Sequence, residues 1–229
     1  MIPLRDNVQS RTVPFVNYTF IGINVLMFLF ELSLGPGVEG FVRAFGVVPE
    51  RTIYILFQAR EYAHFAIIPF FTSMFMHGGW FHLLGNVLFL YIFGDNIEDT
   101  LGHIRYAIFY IGSGVAASLI HLATHPGSTV PTIGASGAIA GVMGAYFILF
   151  PGSRIVTLVP FFFFIQLIEI PAFVFLGIWF LIQFLSGSFS FAVSSDLSRI
   201  AWWAHIGGFA VGAGYVLLRY GRRRSRLST

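Results

Sequence analysis

The sequence contains no cysteine and no lysine, and it has little charge of either sign. Without cysteine there is no disulfide, no thiolate zinc site, no c-type haem attachment and no thiol nucleophile. All 13 basic residues are Arg; against 10 acidic residues they leave a net charge of +3. The one dense basic run is Arg222, Arg223, Arg224 and Arg226. That is too little for a nucleic-acid footprint, so no nucleic-acid partner is expected. Charged residues make up 10% of the 229, against roughly 25% in ordinary globular domains. Hydrophobic residues make up 56% and aromatic residues 18%, with 28 Phe. Such a chain cannot cover its own surface with polar groups in water. Its composition places it in a lipid bilayer, where the aromatic side chains suit acyl chains and headgroup-level belts.

Apolar blocks broken by Gly, Pro and charge give six spans, near Tyr18–Leu34, Gly79–Phe93, Tyr106–Ala123, Ile133–Phe150, Pro171–Leu185 and Trp202–Leu218. The expected fold is an all-α polytopic membrane protein, a bundle of six transmembrane helices. Most spans are roughly 15–18 residues, about 22–27 Å at ~1.5 Å per residue. That falls short of a ~30 Å hydrocarbon core, so the bilayer thins or water reaches in. Three parts follow: a cytoplasmic N-terminal segment over residues 1–17, a six-helix domain over 18–218 and an Arg-rich cytoplasmic tail over 219–229. No small-residue cleavage site follows the first span, so it reads as an uncleaved anchor. Arg5, Arg11, Arg105, Arg154 and the tail all lie inside if both termini are cytoplasmic, as the positive-inside rule favours. The stretch Gly35–Ile68 is too long for a bare connector and reads as half-inserted interfacial helices. Val156–Ile170, fenced by Pro160 and Pro171, reads as a second interfacial piece, with Pro171 opening span five.

With that topology, spans two, four and six run from outside to inside, and their polar residues cluster at the outer ends. His82 and Asn86 are four apart on span two and share one helical face. Span four opens Gly134-Ala135-Ser136-Gly137, and span six opens Trp202-Trp203-Ala204-His205. Polar groups inside a membrane are costly and face protein or water. Gly137–Gly141 and Gly208–Gly212 are small-xxx-small pairs, which let helix backbones approach closely. Spans four and six can then bring the Ser136 hydroxyl to the His205 imidazole, an activated nucleophile beside its base. His82, Asn86 and the Ser136 backbone N–H are hydrogen-bond donors of the kind a tetrahedral acyl intermediate needs.

These residues resemble the rhomboid intramembrane serine proteases. The resemblance rests on His77-Gly-Gly-Trp-Phe-His82-Leu-Leu-Gly-Asn86, on Gly134-Ala-Ser136-Gly137, on Ala204-His205-Ile-Gly-Gly208, and on Gly94–Gly102 after span two. It implies a bacterial-type, six-helix rhomboid-like bundle in a cell (inner) membrane. It also implies Ser136 as nucleophile, His205 as general base, His82 and Asn86 in the oxyanion hole, and no catalytic acid. The implied partners are single-pass transmembrane protein substrates, cut near the outer leaflet after a small residue. No cofactor is implied. Two departures stand out: no Trp-Arg pair precedes Phe70, and the position four after the serine, Tyr in some members, is Ala140 here.

Other readings compete. Taken singly, Ser136 is a small interface residue, His205 an interfacial histidine, and His82 and Asn86 interhelical glue. His77, His121 and His125 read as loop or surface histidines, and Glu98 and Arg105 as structural. Seven histidines raise the question of a metal, but His77 and His82 lack His-Glu-x-x-His spacing, so no metal site is expected. A transporter would show inverted repeats and charge in mid-span; neither is evident. The alternative within the family is a catalytically inactive rhomboid-like protein that binds transmembrane helices. The Ser186–Ser198 stretch, with span five, is expected to gate the site. The oligomeric state is not legible.

Overall fold

The computed structural model describes residues 1–161, 164–192 and 201–221. Its helices are α1 (Phe15–Ser33), α2 (Val38–Phe45), α3 (Pro49–Gln58), α4 (Ala63–Ile67), α5 (Pro69–Thr72), α6 (Trp80–Leu101), α7 (His103–Thr124), α8 (Ser136–Leu149), α9 (Ala172–Ala192) and α10 (Trp202–Val216). α1, α6, α7, α8, α9 and α10 coincide with the six expected spans. Segments α1, α7 and α9 are long and apolar enough to cross a membrane by length and composition. The remaining three explain their own exclusion. α6 is interrupted by His82, Asn86, Asp95, Asn96, Glu98 and Asp99, while α8 and α10 have only 14 and 15 residues. Helix α8 is the centre of the bundle, with every residue from Gly137 to Tyr146 buried. It contacts α6, α7 and α10 on its sides. A helix so enclosed does not need the full apolar length of one facing acyl chains.

The exterior is apolar. Leu26, Phe30, Ile108, Leu119, Leu181 and Phe189 are all exposed. The interior, in turn, holds Asn17, Asn24, Glu31, Asn96, Glu98 and Gln183. This inversion suits a solvent of lipid, and each buried polar group needs an internal partner. Glu98 finds three. Its carboxylate accepts the backbone N–H of Val16 (3.1 Å) and of Asn17 (2.7 Å) and pairs with His103 Nδ1 at 2.6 Å. Helix α1 begins after Pro14 with no side-chain cap of its own. A carboxylate from α6 therefore satisfies the first-turn N–H groups and their positive dipole end. Asn17 continues the network, donating to Leu90 O at 3.0 Å and accepting from Tyr106 Oη at 2.7 Å. Gly94 makes room, since a Cβ there would lie 2.6 Å from Asn17 Cγ. Glu98 is thus structural, as expected.

The principal departure from the expected all-α architecture is a three-stranded antiparallel sheet in the order β1 (Ile2–Asp6), β2 (Arg154–Phe161) and β3 (Phe164–Pro171). The piece Val156–Ile170, expected to be interfacial, is most of a hairpin, paired from Arg154↔Pro171 to Phe161↔Phe164. Ile155 and Thr157 are fully buried while Val156 and Leu158 are less so, the alternation of a half-covered strand. Strand β1 pairs with β2 only as far as Leu158, so Pro160, lacking an N–H, lies past the end of the neighbour that would have needed it. The N-terminal segment is accordingly part of the fold. Asp6 accepts from Asn96 Nδ2 (2.9 Å) and from the Tyr146 hydroxyl, joining the sheet to the C-terminal ends of α6 and α8. The stretch Gly35–Ile68 forms α2, α3 and α4 with intervening 3-10 turns. Arg222, Arg223, Arg224, Arg226 and most of the expected tail lie outside the described residues, as does the second half of the expected gate.

The α8–α10 contact is the tightest in the bundle. A Cβ on Gly208 would strike Gly137 O, one on Gly212 would strike Gly141 O, and one on Gly144 would strike Phe209 O. The obstacles are backbone atoms, which cannot rotate away. We expect Gly212→Val to cost about 3 kcal/mol or more, read as a lowered unfolding midpoint in detergent. Gly22→Ala, at a position with nothing within 4 Å, should leave the midpoint unchanged or raise it slightly.

Candidate active site

Ser136 is the first residue of α8. The turn before it is shaped by Gly134, whose φ of +123° is one that side-chain-bearing residues rarely adopt. Gly134 N–H donates to Ser73 O at 2.8 Å, and Val47 and Thr132 exchange two backbone hydrogen bonds of 3.1 and 2.8 Å. The outer segments thereby hold the loop that presents Ser136. His205 lies on the first turn of α10, brought in by the glycine contact one and two turns further down. The outcome is a hydrogen bond of 2.7 Å between Ser136 Oγ and His205 Nε2, across 69 residues of sequence.

His82 and Asn86 stand opposite, on α6. A Cβ on Gly134 would lie 2.6 Å from His82 Nε2 and 3.7 Å from Asn86 Nδ2, so both side chains crowd the turn before Ser136. His82 Nδ1 accepts the Gly78 backbone N–H at 3.3 Å. A neutral imidazole accepting at Nδ1 carries its proton on Nε2, the atom facing Gly134. The buried Asn86 amide nitrogen has no partner within the protein, an amide donor left over for something else. Ser136, His205, His82 and Asn86 all line one open cavity of about 1470 Å³. A hydroxyl bonded to an imidazole, with spare donors beside it, is the arrangement for nucleophilic attack on a carbonyl. Among the described residues, no three His, Asp or Glu side chains lie together as a metal site would need.

One neighbour was missed. Gln183, on α9, is buried, and its Oε1 lies 2.8 Å from His205 Nδ1. The available signal was the presence of a lone amide in an otherwise apolar span. Trp179, one turn earlier, has its ring centroid 6.0 Å from that of His205. The histidines expected at the surface also need correction. His77 does lie in a loop but is buried, and His121 is buried on the last turn of α7, its ring stacked 4.8 Å from His125.

The fold and site define an integral membrane protein with a serine–histidine pair lining an open cavity. Comparison with known proteins agrees. The family model described as "Rhomboid domain" matches residues 64–222, and the chain belongs to the rhomboid family. Similar proteins include the mitochondrial Rhomboid protein 1 of Saccharomyces cerevisiae, 32% identical over 62% of this chain and 38% of that protein. The rhomboid protease GluP of Bacillus subtilis is 31% identical over 58% of this chain and 24% of its own length. The putative rhomboid protease YdcA of the same organism is 37% identical over 33% of this chain and 37% of that protein. The chain spans 24–38% of the length of these curated relatives.

Burial lowers the His77 imidazole from its ordinary value to about 4, with His82 adding to the effect. The folded protein therefore holds this ring neutral where the unfolded chain protonates it. Stability is fully present above about 6.5 and is lost as the pH falls from there towards 4. His77→Gln should remove part of that loss, read as a flatter dependence of the unfolding midpoint on pH across this window.

Proposed function

We propose that this protein is an intramembrane serine endopeptidase that cleaves single-pass transmembrane substrates near the outer leaflet. The observation that carries the reading is the 2.7 Å Ser136–His205 hydrogen bond at a cavity shared with two further polar side chains. His205 Nε2 takes the hydroxyl proton as Ser136 Oγ attacks the scissile carbonyl carbon. The carbonyl oxygen becomes an oxyanion, met by His82 Nε2–H, by the Asn86 amide and by the Ser136 backbone N–H at the positive end of α8. Collapse breaks the C–N bond, and the proton passes from His205 to the leaving amine. Water then enters, gives its proton to His205 and attacks the acyl-enzyme, and Ser136 regains its hydrogen as the new carboxyl leaves.

Both termini lie in the cytoplasm in this reading, so the outer ends of α6, α8 and α10 meet the exterior, as in a bacterial inner membrane. Apolar side chains over much of α9 face outward. Lateral displacement of that helix from the bundle gives a transmembrane substrate its way in. A disulfide engineered between α9 and α6 should block cleavage until reduced. Undiminished turnover in the oxidised form would remove α9 from the entry route.

The decisive experiment incubates purified protein with a model single-pass substrate in detergent or liposomes. Ser136→Ala and His205→Ala should each abolish cleavage while leaving the unfolding midpoint near wild type. Asn86→Ala should lower turnover by about 10²-fold without abolishing it, because two donors remain. A chelator should leave the rate unchanged. Wild-type protein that binds the substrate and never cuts it would favour a helix-binding relative without activity.

A further inference from the structure

The base has a partner of its own. His205 Nδ1 lies 2.8 Å from Gln183 Oε1, while Nε2 lies 2.7 Å from Ser136 Oγ. An amide oxygen only accepts, so the Nδ1 contact requires an N–H there. In a neutral ring that leaves Nε2 with its lone pair free, pointed at the serine hydroxyl. The opposite tautomer would set the amide oxygen against a lone pair and place an N–H against the hydroxyl, and Ser136 would then have no base. Gln183 can hold this position because it is buried on α9 and packed inside the bundle. Nothing on α8 does the same job. Ala140, one turn after Ser136, is a methyl group fitted against Gly208 and offers neither a ring nor a hydrogen bond to the imidazole.

We propose that Gln183 is the positioning residue of the site, fixing the tautomer and orientation of His205 through an Nδ1–H···Oε1 hydrogen bond supplied by α9. The inference rests on the reading of His205 as general base, but its first consequence can be checked without any cleavage. Ring ¹⁵N spectra of histidine-labelled protein in detergent at neutral pH, with His205 assigned from the His205→Ala spectrum, should show that ring protonated at Nδ1 and bare at Nε2. In Gln183→Leu the same ring should become a mixture of tautomers or switch to Nε2–H.

The kinetic consequence follows. Gln183→Leu should lower kcat about tenfold to a hundredfold with KM changed by less than about twofold, and its unfolding midpoint should stay near wild type. Gln183→Glu keeps an acceptor oxygen at the same reach and should restore most of the rate. A merely structural role would move the midpoint and would not be rescued by the acceptor. The proposal is overturned if His205 in the wild type carries its proton on Nε2. It is equally overturned if Gln183→Leu cleaves at the wild-type rate with an unchanged His205 spectrum. A wild type that shows the expected ring spectrum yet fails to cleave would instead remove the protease reading and leave the positioning intact.

Discussion

The structure depends on backbone meeting backbone between α8 and α10. A Cβ on Gly208 or Gly212 would strike the carbonyl oxygen of Gly137 or Gly141, and one on Gly144 would strike that of Phe209, so the two backbones meet where no side chain fits between them. In lipid, apolar side chains gain little by leaving acyl chains for a neighbouring helix, so close packing and dispersion must hold helices together. Smooth glycine faces maximise that contact. They also fix the separation and register of the two helices, and with them the meeting of Ser136 and His205 one turn above the contact. The 2.7 Å hydrogen bond at the site is thus a consequence of packing that contains no polar side chain at all.

A second constraint governs everything polar around this seam. Each buried hydrogen-bonding group must be met within the protein, and most here are met by residues far away in sequence. Glu98 closes the first turn of α1 across more than 80 residues, and Tyr146 reaches Asp6 across 140. These links tie the N-terminal ends of the chain to α6 and α8, and they lie at the end of the bundle away from Ser136. The sheet and the Glu98 network hold one end rigid, while the glycine contact positions the other. Several buried groups are not met in this way, among them the amide nitrogen of Asn86, which stands at the edge of the cavity beside Ser136. An amide left without a partner at the edge of a cavity is a cost in stability, reasonable where a bound oxygen atom is to be received.

Much of this was readable in the chain, and the unread parts have definite causes. The six long helices were visible because apolar blocks are separated by Gly, Pro and charge. The site was visible because serine, histidine and asparagine are conspicuous among apolar neighbours and topology brings their ends to one side. The hairpin was not visible. Val156–Ile170 carries apolar residues on both faces, since one meets the bundle and the other is not required to be polar beside a membrane, so the period-two alternation that marks a half-exposed strand is blurred. The run Phe161–Phe164 and Pro160 obscured it further. His121 was misplaced because a helix end says nothing of what folds over it. Gln183 was overlooked for a different reason: an amide with no motif around it has meaning only once its neighbour is known.

That amide also suits its solvent. Soluble serine hydrolases commonly orient the base with a carboxylate, whose charge additionally stabilises the imidazolium. Within a bilayer an ionised carboxylate at this depth carries a desolvation cost of several kcal/mol, which an uncharged acceptor avoids. A glutamine oxygen accepts the same Nδ1–H with no net charge. It gives up part of the electrostatic help and keeps the geometry. Because Gln183 and Trp179 both belong to α9, the support of His205 comes from the helix whose outer face is turned to lipid. With α9 lying against α10, Gln183 Oε1 meets His205 Nδ1 at 2.8 Å. A histidine held in this way keeps its Nδ1 partner only as long as that helix is in place, so the packing of α9 and the orientation of the ring are one constraint.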